Sequence, residues 1–472
     1  VFRLSQSILV LSALVLLRVN SVEAAPTVGV YYYPWYGPGA GGHHYDHTLR
    51  MHTTPESQDP VLGTYNSRDP NVIANHIDQS HVGNISMWSL SWWGPNSYED
   101  ITIRNHIFAH PRASELKYTI HYESAGRLGD FANPNYARLE SDFRYLAENI
   151  FDDPNYMRIN DRPIVVMYLS REYLKTQAGW DALANVRSVM QNEYGYDPYI
   201  IGDHFFGGLA AGAEHLDAVT AFDVYGQAFG SRPTNISSLN RLRGIYNGVQ
   251  NTVDSLGVDF VPGLAPGYND TAVRSGNAPS PRYLVDAQYG PDAQGSTMSE
   301  MLDRVVLPHT DADIGDLLLV NSFNEWHEDT QIEPTIISPR TNTDDTPTGT
   351  GYTAGYYYEG YGNLYLDILR NGTLPASAIS ADFDSDGDVD GRDFLIWQQG
   401  SGLNGQLDNS NGDANSDGLV NAADLEVWQQ QYSASSLNAQ LSVPEPPMIL
   451  LTFAGAACTF ACRPSRQFIQ RN

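Results

Sequence analysis

The sequence predicts an α/β protein, a (β/α)8 or TIM barrel followed by a small all-α unit, and three observations carry that expectation. Between residues 25 and 373, eight apolar, β-branched runs alternate with stretches of helical periodicity. That segment has the ~350 residues that a barrel with long loops occupies. Beyond it lies an Asp/Asn/Ser/Gly-rich stretch that repeats itself at a spacing of 31 residues.

The eight runs are 27–33, 85–92, 116–122, 163–168, 199–203, 218–223, 258–263 and 317–323. Between them, 71–81, 136–150, 180–193, 236–256 and 298–306 show the clearest 3.6-residue patterns. Eight buried strands alternating with helices imply a closed parallel barrel rather than an open sheet.

Composition narrows the partners. Fifty-five acidic residues face 27 basic ones, for a net charge of −28, and only Lys117 and Lys175 are lysines. Such a surface repels a phosphate backbone, so nucleic acid is excluded. Hydrophobic residues make up 42% of the chain, enough for a core, while Cys458 and Cys462 are its two cysteines, so no disulfide framework staples the main body.

The two ends read as addresses. Arg3, an apolar run over 8–17 and Val22-Glu23-Ala24 give residues 1–24 the order of a secretory signal. Ten apolar residues at 1.5 Å each fall short of the roughly 30 Å hydrocarbon core, which disfavours an anchor. At the other end, Val443-Pro444-Glu445-Pro446, an apolar stretch over 448–462 and Arg463 to Arg466 resemble the bacterial PEP-CTERM sorting signal, which implies a secreted or cell-surface protein. Membrane contact is then expected only through the short hydrophobic helix of the 443–472 tail.

A linker over 374–377 leads to the repeat, 378–433. Asp382, Asp384 and Asp386 stand at positions 1, 3 and 5 of a twelve-residue loop, with Gly387 at 6, Asp388 at 7, Asp390 at 9 and Asp393 at 12. The second copy has Asp413, Asn415, Asp417, Gly418, Leu419 at position 7, Asn421 and Asp424. Alternate oxygens, a glycine for the sharp turn and a carbonyl at position 7 are what a hard Ca2+ ion needs. Phe394/Trp397 and Leu425/Trp428 follow the loops at matched places, as the apolar face of paired helices. These paired loop-helix units resemble a type I dockerin, which implies Ca2+ as ligand and a cohesin-like or cell-surface partner. Residues 434–442 read as a flexible spacer.

The chemistry concentrates where the eighth run ends, in Asn321 to Pro334. Strand ends build the active site of a barrel. Glu325 and Glu328 are three apart, so one helical turn projects both to one side. Such a pair can cleave an acetal: the acid with the raised pKa protonates the leaving oxygen while the other acts on the sugar side. Asn324, Trp326 and His327 lie between and beside them. Other strand ends carry Tyr33, Trp35 and Tyr36; Trp92 and Trp93; His121 and Glu123; and Tyr225. Aromatics interleaved with acids suit the apolar faces of sugar rings, so these residues are expected to bind a saccharide. His43, His44, Asp46 and His47 could hold a transition metal, but the Gly-rich 37–42 beside them favours a substrate-lining loop.

Residues 27–372 resemble glycoside hydrolase family 99, the endo-α-mannosidase and endo-α-mannanase family. The resemblance rests on Tyr-Tyr-Pro-Trp-Tyr-Gly at 32–37, Leu62-Gly63-Thr64-Tyr65 with Ser67-Arg68-Asp69-Pro70, and Ser91-Trp92-Trp93-Gly94. It continues in His121-Tyr122-Glu123, Pro266-Gly267-Tyr268-Asn269-Asp270, Asn324-Glu325-Trp326-His327-Glu328 and Gln331-Ile332-Glu333-Pro334. It implies a retaining endo-glycosidase acting on an α-mannan-like polysaccharide, with no cofactor for catalysis. Glu328 maps to its general acid/base and Glu325 to the residue that deprotonates the sugar 2-hydroxyl, through a 1,2-anhydro sugar. Asp329 stands where the family commonly has Gly, and Ser124 where it commonly has Pro. Two alternatives stay open: a non-catalytic glycan-binding surface protein, and a barrel protein of surface-polysaccharide assembly.

Overall fold

The computed structural model describes residues 25–38, 58–274, 277–374, 379–384, 388–404, 406, 409–415 and 418–441, without the side chains of 433–441. The expected signal at 1–24, the histidine cluster at 43–47, most of the linker, Asp386, Asp417 and the 443–472 tail lie outside them.

All eight expected strands form: β1 Val28–Tyr32, β2 Met87–Trp92, β3 Lys117–Tyr122, β4 Arg162–Met167, β5 Tyr199–Asp203 and β6 Ala218–Thr220, then β7 in two pieces, Asp259–Phe260 and Gly263–Leu264, and β8 Leu318–Val320. Each pairs in parallel with the next from β1 to β6. The first piece of β7 pairs with β6, the second with β8, and β8 pairs with β1. Pro262, which has no N–H to donate, sits where β7 divides. The nine strand segments thus form a curled parallel sheet with the connectivity of a (β/α)8 barrel.

Strand alternation sorts the apolar side chains into two cores. Tyr31, Met87, Ile164, Val166, Ile201 and Leu319 pack together as one cluster. Val30, Trp88, Leu90, Trp92, Val165, Ile200 and Val320, their neighbours along the same strands, pack with helix residues in the other. The surrounding helices include α1 Pro70–Val82, α2 Tyr136–Asn149, α3 Gln177–Val189, α4 Ile236–Asp254 and α5 Leu364–Thr373. Each of the first four begins at a side chain that accepts a backbone N–H: Asp69, Asn135, Thr176 and Asn235.

The acidic repeat carries two further helices, α6 Gly391–Gly400 and α7 Ala422–Leu441. Ala381, Phe383 and Ala414 form its buried centre, with Val389, Ile396, Trp397, Val427 and Trp428 packed around them. The duplication is structural: Trp397 Nε1 donates to Asn421 O at 2.7 Å, and Trp428 Nε1 donates to Asp390 O at 2.9 Å, so each helix holds the other unit's loop. Helix α7 runs through 434–441, the stretch expected as flexible spacer; its Ser, Ala, Leu, Asn and Gln include good helix formers and no Gly or Pro to stop the turn. Among the described residues no helix is long and apolar enough to cross a membrane.

Candidate active site

Beyond β8 the chain makes a short 3-10 turn, Trp326–Glu328, with Glu325 as its N-cap: the Glu325 Oε1 accepts the His327 backbone N–H at 2.9 Å. Side chains three apart nearly eclipse in such a turn, so Glu325 and Glu328 face one cleft. A cavity of about 310 Å3 is lined by both, together with Tyr33, Trp35, Trp93, Glu123, Tyr168, Phe222, Val273, Arg274 and His327. A second, of about 360 Å3, shares Tyr168, Phe222, Arg274 and Glu328 and extends past Arg171, Asp223, Tyr225 and Tyr268. The two adjoin at Glu328.

Burial raises two acids of this cleft, Glu328 and Glu123. Glu328 is pushed up to about 7, first by removal from water and then by Glu325 nearby, against the lowering effect of Arg274, whose Nη1 donates to Glu328 Oε1 at 2.6 Å. Burial thus lets Glu328 keep a proton to higher pH than an exposed carboxyl would. Burial carries Glu123 to about 8, opposed by a 2.6 Å hydrogen bond from Ser91 Oγ. His327 is close to Glu325, Nδ1 to Oε1 3.4 Å, and its ring lies parallel to Tyr36 at 6.1 Å.

Five of the expected saccharide contacts line neither cavity. Trp92 is fully buried, faces the helices and donates to Asp100 Oδ1 at 3.0 Å. Strand parity explains it: Trp88, Leu90 and Trp92 share one face, and Trp93, past the strand end, reaches the cleft instead. Tyr36, Asn324 and Trp326 lie beneath the turn and fix it. Asn324 Oδ1 accepts Tyr33 N at 2.7 Å, Tyr36 Oη donates to Asn324 O at 2.8 Å, and Trp326 Nε1 donates to Glu333 Oε2 at 2.8 Å. His121 is buried between Tyr31, Tyr168 and Phe222, its ring nitrogens lack hydrogen-bond partners, and burial holds it at about 3, neutral at any working pH. Tyr33, Trp35, Trp93, Glu123 and His327 line the first cavity, and Tyr225, stacked on Tyr268 at 3.8 Å, lines the second.

Sequence reasoning missed Tyr168 and Phe222, though both follow strand ends, the signal that found the others. It also missed Arg274, which no motif marks, and the buried support of the turn. Glu333 accepts from Trp326 and from Tyr65 Oη at 2.8 Å and meets His76 Nε2 at 3.2 Å, while His76 Nδ1 meets Tyr32 Oη at 2.8 Å. Asp329, which ends the turn, has φ +51°, the left-handed conformation that glycine adopts without strain. Asp tolerates it, and its Oδ1 takes a 3.0 Å ion pair from Arg282, both side chains 1% exposed.

In the repeat, one oxygen each of Asp382, Asp384 and Asp393 lies within 4.8 Å of the others, and so do those of Asp388, Asp390 and Asp393. Asp393 accepts Phe383 N at 2.6 Å and Asp390 N at 2.7 Å; Asp424 accepts Asn415 N at 3.2 Å and Asn421 N at 2.7 Å. Asp413 accepts Gly418 N at 2.8 Å. The position-12 aspartates thus organise both loops alike, and the all-oxygen donor set fits a hard cation.

Two acids on one turn, facing an aromatic-lined cleft at the strand ends of a barrel, are the equipment of a glycosidase. The chain belongs to Glycosyl hydrolase family 99, whose profile matches residues 25–359. It is similar to the glycoprotein endo-alpha-1,2-mannosidase-like protein of Mus musculus, 26% identical over 382 residues that cover 74% of this chain and 76% of that one. The glycoprotein endo-alpha-1,2-mannosidase of the same species is 25% identical over 370 residues, 69% of this chain and 72% of that one. Among solved structures, the GH99 endo-alpha-mannosidase of Bacteroides thetaiotaomicron in complex with bis-tris-propane shares the fold, with a TM-score of 0.51 and 20% identity over 73% of this chain and 95% of that one.

Proposed function

We propose that the chain is a secreted, retaining endo-hydrolase of α-mannan-like polysaccharide, with Glu328 as general acid/base and Glu325 as the base for the sugar 2-hydroxyl. The observation that carries the reading is the pair itself: Glu328, raised to about 7, and Glu325 line one cavity on one turn. In the first step Glu328 gives its proton to the glycosidic oxygen as the C1–O bond breaks, and Glu325 takes the 2-hydroxyl proton as O2 closes on C1. In the second, Glu328 takes a proton from water as the water oxygen attacks C1 and the C1–O2 bond breaks, and Glu325 returns the proton to O2. Two inversions retain the anomeric configuration. Cavities on both sides of Glu328 support internal cleavage, since sugar units can lie to either side of the acid. The mannose preference rests on kinship with proteins named endo-alpha-mannosidases.

The repeat binds Ca2+ in this reading. Asp382, Asp384, Asp386, Asp388, Asp390 and Asp393 hold one ion; Asp413, Asn415, Asp417, the Leu419 carbonyl, Asn421 and Asp424 hold a second. The loaded module docks the enzyme to a cohesin-like or other cell-surface partner, and the 443–472 tail sorts it there. The experiment is incubation with a panel of α-linked polysaccharides, with analysis of the oligosaccharides released by the wild type, Glu325→Gln and Glu328→Gln. The wild type releases oligosaccharides from α-mannan, and each variant is slower by at least about two orders of magnitude, the scale of general acid/base catalysis. Variants near wild-type turnover would refute the residue assignment.

A further inference from the structure

The side chain that contacts Glu328 most closely comes from another loop. Past β7 the chain turns at Asp270–Arg274, closed by bonds from Val273 N and Arg274 N to Asp270 O of 2.8 and 2.7 Å. Arg274 Nη1 donates to Glu328 Oε1 at 2.6 Å and to Asp270 Oδ2 at 3.0 Å. Asp270 is buried, and Asn277 Nδ2 also donates to its Oδ2, at 2.9 Å; the Arg274 side chain is 56% exposed. Arg274 lines both cavities, at their boundary. The other oxygen of Glu328 faces Tyr225 Oη at 3.5 Å.

A general acid needs a carboxyl oxygen about 2.6–3.2 Å from the atom it protonates. Here Arg274 occupies Glu328 Oε1, and an arginine against a carboxylate favours the ionised form that cannot donate. We propose that Arg274 is a positioning residue shared between two carboxylates: it holds Glu328 in the free enzyme and stays on Asp270 alone when a glycan crosses the boundary between the cavities, which frees Glu328 for the glycosidic oxygen. The anchor is fixed and the arm is exposed, as such a transfer requires. Asp270 keeps the guanidinium paired throughout, so no charge is stranded beside the bound sugar. The inference rests on Glu328 being the acid/base.

The charged and titratable groups around Glu328 are Glu325 on its own turn, Arg274, Asp270 and Tyr268 from the loop after β7, Tyr225 after β6, Tyr168 after β4, Glu123 after β3 and Tyr33 after β1. His327 and Arg171 also line the cavities, the first beside Glu325 and the second paired with Asp203, and Arg274 is the cation that contacts Glu328. The test is the pH dependence of kcat/KM, which reports the free enzyme, and of kcat, which reports the complex. With Arg274→Gln the alkaline limb of kcat/KM moves up by about one pH unit or more, the scale on which a neighbouring opposite charge acts. Arg274→Lys restores most of that shift, and the kcat limb moves less than the kcat/KM limb. Asp270→Asn moves the kcat/KM limb down, because a like charge is removed and the arginine is left to Glu328. Thermal melting checks that the variants fold, and Arg274→Gln with Arg274→Lys carries the test alone if Asp270→Asn does not. An unmoved kcat/KM limb in Arg274→Gln, or equal shifts of both limbs, would overturn the proposal. Near wild-type turnover in Glu328→Gln would instead remove the acid/base assignment beneath it.

Discussion

Glu123 shows how burial, without a cationic partner, sets the state of a carboxyl. Its Oε1 accepts from Ser91 and lies 3.7 Å from His121, which burial keeps neutral. Desolvation therefore dominates and carries the group to about 8, against roughly 4.3 in an unfolded chain. The sign follows: a carboxyl raised on folding contributes fully below about 4.3, and that contribution is lost as pH rises through about 8. Wild-type thermal stability should fall between pH 5 and 8.5 more steeply than that of Glu123→Gln, which has nothing to ionise there. Melting temperatures of the two across this range decide it, and a constant difference would contradict the burial account. At this scale the sequence was only half legible. That His121 and Glu123 sit at a strand end could be read from the run beside them; that one lines the cleft and the other lies beneath it is set by residues on β1 and just after β4 and β6 that no local pattern reveals.

The turn after β8 is the element on which the chemistry depends. Its spacing was readable, because Glu325 and Glu328 three apart on any helical turn share a side. Its support was not: Glu333 reaches His76, and Asn324 reaches Tyr33, across more than 250 positions of chain. An irregular loop has no period from which faces can be assigned, so it could not be read that Asn324 and Trp326 lie beneath the turn and line neither cavity. Asp329 makes the dependence testable. Its carboxylate neutralises Arg282, which is buried between Tyr361 and Tyr365, with its guanidinium carbon 5.2 and 4.8 Å from their ring centres. Asp329→Gly keeps the backbone comfortable at φ +51° but strands the guanidinium, a loss of about 3–5 kcal/mol on the scale of a broken buried pair. Denaturant unfolding measures it. A stability within about 0.5 kcal/mol of wild type, the range of ordinary surface substitutions, would mean that backbone relief outweighs the pair.

At the scale of the molecule, the barrel and the acidic repeat draw stability from different sources. The barrel has two extensive apolar cores, legible as eight runs because buried parallel strands are apolar throughout. The division of β7 at Pro262 was missed, since the run reads continuously through it. Among the described residues of the repeat the buried apolar side chains are Ala381, Phe383, Ala414 and Val420, and the loops bring several aspartates within one ion's reach. In the proposed reading, Ca2+ that binds only the folded form adds about 2.7 kcal/mol at a hundredfold excess over Kd, a large share of the stability of so small a unit. Chelation should therefore make 378–433 sensitive to limited proteolysis while 27–372 stays resistant and active. Equal resistance of the repeat with and without chelator would contradict calcium-dependent folding.

The measurement that bears most directly on the central claim is a time course of α-mannan hydrolysis followed by proton NMR, reading the anomeric configuration and size of the first products. Internal cleavage with retention predicts oligosaccharides whose new reducing ends appear first as the α-anomer and then mutarotate. First products with β-anomeric ends, or free mannose released from chain ends, would contradict a retaining endo-hydrolase built on Glu325 and Glu328.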